Sequence, residues 1–241
     1  MRIALIGDSL TSGAPGSSYS AILREQFPND TLLNLGKAND TVVSLYRRLS
    51  RARVLEAWDL AFLWIGVNDV PDRDWGPVQL FSTLIGQRRA RDMDEFRTFY
   101  RATLNLVCDN ANHVIVAPPS LRGENLENPG NHRLEVPARL IQDLTADYEQ
   151  VEFLDLRTIF SRELADRPIS NHSPGNPLLV LMDVLTLRSD AQIDRKAAER
   201  GLHLTLDGIH LNSAGARIVA KELSRLIEIR CRACVVRQPA H

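Results

Sequence analysis

Apolar residues gather in five short runs along the chain, at residues 2–6, 31–35, 60–65, 113–117 and 151–156. Each is rich in Ile, Val and Leu and apolar throughout instead of alternating, which predicts strands buried on both faces. Between them the apolar positions recur with helical spacing at about residues 17–27, 41–57, 94–110 and 134–148, and again at 213–229 near the end. Strands alternating with helices predict a parallel sheet covered on both sides, a single-domain three-layer α/β/α sandwich around five strands. The domain is expected over residues 1–230, with a tail at 231–241. Three longer connections, 70–93, 118–133 and 166–206, exceed ordinary loop length and are expected to wall a binding pocket. Trp75, Phe81 and Leu84 in the first are either an apolar acyl wall or core residues. The last contains an apolar run at 178–187 and a charged stretch at 190–200, a pattern that predicts one or two helices.

Composition narrows the function classes. The 241 residues are 44% hydrophobic and 24% charged, ordinary for a globular chain, and the formal net charge of −1 gives no footprint for nucleic acid or an anionic membrane. Met1-Arg2 runs straight into the first apolar run without the three-part pattern of a signal peptide, so a cytoplasmic location is expected. No stretch approaches the roughly 18 apolar residues of a membrane-spanning helix, and no membrane insertion is expected. Three cysteines do not make a disulfide framework. Cys231 and Cys234 form a lone C-x-x-C without further ligands, so neither zinc nor redox chemistry is expected there.

The candidate chemistry lies where the strands end. In an open α/β sheet the ligand site sits outside the carboxyl ends of the strands. There stand Gly7-Asp8-Ser9-Leu10 after the first run, Asn34-Leu35-Gly36 after the second and Gly66-Val67-Asn68-Asp69 after the third. Asp207-Gly208-Ile209-His210 precedes the last helix, whose N-cap is Asn212 or Ser213. A spacing of three puts Asp207 and His210 on one side of a turn. A serine hydroxyl becomes a nucleophile when an imidazole takes its proton and a carboxylate orients that imidazole. Each residue also has a plainer reading. Ser9 could be a turn residue, Asn68 a turn cap, and Gly36 a strand-ending glycine. Asp8 and Asp69 read as structural. Among the other histidines, His203 is the rival base.

Taken in order, Gly7-Asp8-Ser9-Leu10, Gly36, Gly66-x-Asn68-Asp69 and Asp207-x-x-His210 resemble the SGNH (GDSL-type) hydrolase superfamily over nearly the whole chain. The resemblance implies the flavodoxin-like SGNH hydrolase fold. It also implies Ser9 as nucleophile and, through its backbone N–H, as an oxyanion donor. Gly36 N–H and the Asn68 side chain are the other implied donors, with His210 as base, Asp207 as its orienter and no cofactor. One departure is local: Lys37-Ala38-Asn39-Asp40 follows Gly36, where the family often has a small or hydroxyl residue and a second glycine.

The leading expectation is a serine ester hydrolase, an esterase or carbohydrate deacetylase, acting on a small-molecule ester through an acyl-serine intermediate. Acyl transfer to another alcohol would use the same parts. The Gly-x-Ser-x-Gly elbow of α/β-hydrolases is absent, since Thr11 stands at its last position. A metal-dependent phosphoesterase is the enzymatic alternative, because Asp8, Asn68, Asp69, Asp207 and His210 are ligand types; its Asp-x-His and Gly-Asn-His signatures are missing. The loop 7–16 lacks both common nucleotide-binding spacings. A catalytically inactive carbohydrate- or acyl-binding module is the non-enzymatic alternative. Arg122, Asn125, Asn128 and Asn131 in the second long connection favour a polar alcohol such as a sugar.

Overall fold

Strand β1 (Arg2–Gly7) is buried from its second residue onward because it lies in the middle of a parallel sheet, with β2 (Thr31–Gly36) on one side and β3 (Trp58–Trp64) on the other. The computed structural model describes residues 1–51, 57–70, 88–170, 172 and 177–236. β4 (Ala111–Ala117) and β5 (Val151–Phe153) extend the sheet, giving the parallel order β2-β1-β3-β4-β5. This is the flavodoxin-like doubly wound order, with the reversal of strand order falling between β1 and β3. Nine helices among the described residues are α1 (Ser9–Ser12), α2 (Tyr19–Gln26), α3 (Val42–Arg51), α4 (Met93–Cys108), α5 (Pro129–Thr145), α6 (Leu156–Leu164), α7 (Pro177–Thr186), α8 (Asp190–Glu199) and α9 (Ser213–Val236).

The period-two geometry of the strands divides the core into two layers. Ile3 and Leu5 of β1 with Leu60, Phe62 and Trp64 of β3 meet Tyr19 and Leu23 of α2, Phe160 of α6 and Val219 and Leu223 of α9. Ala4, Ile6, Ala61 and Leu63 face the other way, towards α3, Phe96 and Tyr100 of α4, and Ile141 of α5. Burying each large aliphatic side chain is worth about 1.5–3 kcal/mol. β2, at the edge, is only half-buried.

Several boundaries differ from expectation, for local reasons. Asn128 accepts from the Asn131 N–H and Pro129 takes the first helical turn, so α5 starts inside the expected 118–133 connection. The fifth strand ends at Phe153, and Asp155 caps α6, a helix the apolar pattern did not signal. The 166–206 connection contains two helices, α7 and α8, as its pattern allowed. α7 turns Leu181 and Leu185 outward while its Asp183 points inward to pair with Arg200. α9 runs past residue 230 to Val236. No helix among the described residues is long and apolar enough to cross a membrane.

Candidate active site

Four chain segments meet at the carboxyl ends of β1, β2 and β3. Gly7 ends β1 so close to its surroundings that a Cβ there would lie 2.3 Å from both Thr11 Oγ1 and Trp64 O. Only glycine lets the chain turn at once into α1. Asp8 caps that short helix, accepting from Leu10 N–H at 3.0 Å, and Ser9 occupies its first position. Ser9 Oγ is 2.9 Å from His210 Nε2, and His210 Nδ1 is 2.7 Å from Asp207 Oδ2. All three are buried. Asp207 Oδ1 also accepts from the N–H groups of Ile209 (3.0 Å) and His210 (2.8 Å), so the turn and the ring are held by one carboxyl group.

The electrostatics of the pair follow from these bonds. Burial on its own would raise the Asp207 carboxyl, but the His210 ring and the two backbone N–H groups outweigh it and hold the group at about 2. An ionised carboxylate can only accept, so the neutral ring carries its proton on Nδ1 and turns the Nε2 lone pair to the Ser9 hydroxyl. Burial works against the His210 cation, yet Asp207 beside it raises the imidazole above its ordinary range. Behind Ser9 the balance is reversed. Burial pushes Asp8 up to about 7, with Leu10 N–H opposing, and pushes Asp69 up to about 8 despite two bonds from Val42 N–H.

Asn68 sits on the turn after β3, where Asp69 N–H donates to Gly66 O, and its Nδ2 donates to Asp40 O at 3.0 Å. That leaves the second Nδ2 proton for another acceptor. The loop before it turns through Asn39 at φ 62, a left-handed conformation that Asn tolerates in place of glycine. Gly36 closes β2. Its N–H donates to Asn34 Oδ1 at 2.9 Å, and Asn34 is itself anchored by donating to Thr11 O and Ser20 Oγ. A Cβ on Gly36 would lie 2.3 Å from Ser12 N, so this glycine is required for β2 to pack against α1.

A model of the GDSL-like lipase/acylhydrolase family matches residues 5–218. The chain belongs to that family. It is thus an esterase/acylhydrolase with the doubly wound fold described above. A comparison with curated proteins finds no match. Solved structures of similar fold include an acetylxylan esterase from Geobacillus stearothermophilus (20% identity, 93% of this chain and 92% of that one, TM-score 0.64). Another is an acetyl xylan esterase sharing 20% identity over 94% of this chain and 100% of its own, with TM-score 0.63. A third is an alpha/beta hydrolase enzyme from the metagenome of Lake Arreo, Spain (20%, 91% of each chain, TM-score 0.62).

In this GDSL-type hydrolase the remaining candidates lie elsewhere. The ring of His203 reaches Pro168 O at 3.0 Å, and His132 pairs with Glu135 on the exposed face of α5. Asn212, not Ser213, caps α9, its Oδ1 accepting from Ala214 and Gly215 N–H, while Ser213 bonds Asp194. The polar residues of the 118–133 connection are turned inward. Asn131 is buried and bonds Arg122 N, Gly123 O and Asn125 O, while Asn128 bonds Arg122 O and caps α5. Their polarity satisfies backbone groups, so it carries no argument for a sugar. Among the described residues no group of three or more His, Cys, Asp or Glu is arranged to hold a metal ion. Trp75, Phe81 and Leu84, and the side chains of Cys231 and Cys234, lie outside the described residues.

Proposed function

We propose that this esterase works through an acyl-serine intermediate on Ser9, with His210 as general base and Asp207 as its orienter. The observation that carries the reading is the unbroken series of contacts from Asp207 Oδ2 to His210 Nδ1 (2.7 Å) and from His210 Nε2 to Ser9 Oγ (2.9 Å). Nε2 takes the hydroxyl proton as Oγ attacks the ester carbonyl, and the resulting imidazolium is stabilised by the Asp207 carboxylate. Nε2 then gives that proton to the departing alcohol oxygen as the carbon–oxygen bond breaks. Water, deprotonated by the same ring, attacks the acyl-serine, and the proton returns to Ser9 Oγ as the acid leaves.

The oxyanion of each tetrahedral state is held by Ser9 N–H at the first turn of α1 and by the free Nδ2 proton of Asn68. Gly36 N–H joins as a third donor by exchanging its bond to Asn34 Oδ1 for one to the oxyanion. Asp8 at the start of α1 works with Leu10 N–H to hold the helix end that presents Ser9. The substrate class is a short acyl group on an alcohol, a reading supported by the acetylxylan esterases among the similar folds.

Hydrolysis of p-nitrophenyl esters from acetate to octanoate, with and without EDTA, tests the reading. Turnover that resists EDTA, falls with chain length and disappears in Ser9→Ala supports it. Turnover lost to EDTA and kept by Ser9→Ala refutes it in favour of metal-dependent hydrolysis.

A further inference from the structure

Resting on that reading, a further residue is assigned to the reaction by its bonds. Glu124, in the connection between β4 and α5, is only 4% exposed. Its Oε2 accepts from His203 N–H at 2.6 Å, and its Oε1 accepts from Leu204 N–H (2.8 Å), Thr205 N–H (2.8 Å) and the Thr205 hydroxyl (2.7 Å). One carboxyl group therefore fixes three consecutive residues of a segment about eighty positions later in the chain. That segment leads directly into the turn bearing Asp207 and His210. The link is continuous: Thr205 Oγ1 accepts from Gly208 N–H at 3.1 Å, Leu206 N–H donates to His210 O at 2.7 Å, and Thr205 pairs antiparallel with Leu211. Gly123 N–H, one residue before Glu124, donates to Gly208 O at 2.6 Å.

The same connection reaches the other half of the site. Arg122 is buried, and its Nη1 donates to Val70 O at 2.6 Å, two residues past Asn68. Two buried side chains, Arg122 and Glu124, with only Gly123 between them, thus tie the loop bearing Asn68 and the loop bearing His210 to one short strap.

We propose that Glu124 is a positioning residue of this hydrolase, which sets the distance between His210 Nε2 and Ser9 Oγ by clamping His203, Leu204 and Thr205. Four donors of this segment converge on the two oxygens of that one carboxyl group. A displacement of the base by about an ångström costs on the order of 10²-fold in rate, so the clamp acts on turnover and leaves substrate binding alone.

Glu124→Gln and Glu124→Ala, with p-nitrophenyl acetate kinetics, thermal unfolding and the proton resonance of His210 Nδ1–H, test this. The glutamine keeps Oε1 for Leu204 and Thr205 but turns an NH₂ group towards His203 N–H. Positioning requires kcat to fall about tenfold in Glu124→Gln and about a hundredfold in Glu124→Ala, with KM within about twofold. The His210 resonance shifts in the first and is lost in the second. Wild-type kcat in both variants, or a fall in kcat and thermal stability with the resonance unmoved, overturns it. If Glu124→Ala does not fold, Glu124→Gln decides alone by the same two readouts. Wild-type turnover in Ser9→Ala would refute the serine mechanism, and the resonance series would still decide the role of Glu124.

Discussion

Asp207 and Asp8 both lie buried beside the contact between Ser9 and His210, and they titrate in opposite directions. Asp207 accepts three bonds, two from backbone N–H groups and one from the His210 ring, and is held at about 2. Asp8 accepts one, from Leu10 N–H, while its Oδ2 has no partner among the described residues, and burial pushes it up to about 7. Depth alone does not make a buried carboxyl a working anion; the number of donors facing it does. The donors around Asp207 keep a permanent negative charge next to the imidazole, and the shortage around Asp8 keeps a second charge away from the nucleophile below about neutral pH.

The largest effects are expected on the Asp207 side. Ser9→Ala and His210→Ala should each lower kcat by about 10⁴-fold or more, since parts of such a unit fail together. Asp207→Asn should cost about 10³–10⁴-fold, because the amide can favour the wrong ring tautomer while leaving the geometry in place. Steady-state kinetics on p-nitrophenyl acetate checks both. A loss of tenfold or less for Asp207→Asn would contradict the role of Asp207 as orienter of the ring.

Next in size is Asn68→Ala, expected to lower kcat by about 10²–10³-fold with KM little changed, as for one lost oxyanion donor. The raised value of His210 should also appear as a kcat/KM profile that rises with pH through a midpoint above the ordinary imidazole range, because only the neutral ring accepts the serine proton. Asp207→Asn should move that midpoint down, since the neighbouring charge is what favours the cation.

The smallest expected effect belongs to Asp8. Its folded value lies above the unfolded one of 3.8, so stability is fully present below about pH 4 and is lost progressively as pH rises towards about 7. Asp8→Asn should remove this loss. Thermal unfolding should show the variant gaining on wild type between about pH 4 and 7, by about 1 kcal/mol or more, roughly 2–4 °C for a chain of this size. A gap between the two proteins that does not change with pH would contradict the difference drawn between the aspartates.

The contrast also shows which parts of the molecule are legible in sequence. The five apolar runs marked all five strands, most cleanly in β1 and β3, where burial on both faces leaves few polar positions to confuse the pattern. The Asp207/His210 spacing was readable because the two residues share one turn. Local signals missed what distant contacts decide. The bond from Gly36 N–H to Asn34 depends on how Thr11 and Ser20 hold the Asn34 amide. The early start of α5 depends on the Asn128 cap, and the inward turn of Arg122 and Asn131 makes polar loop residues structural where they read as pocket lining. Glu124 carried no signal at all, because its partners lie 79 to 81 positions away.

Covalent trapping at Ser9 is the most direct test of the mechanism. After incubation with a fluorophosphonate, peptide mass mapping should find one phosphonyl group per chain, on the peptide that carries Ser9, with ester turnover lost in parallel. An adduct on another residue, or full turnover by the Ser9→Ala protein, would contradict Ser9 as the nucleophile.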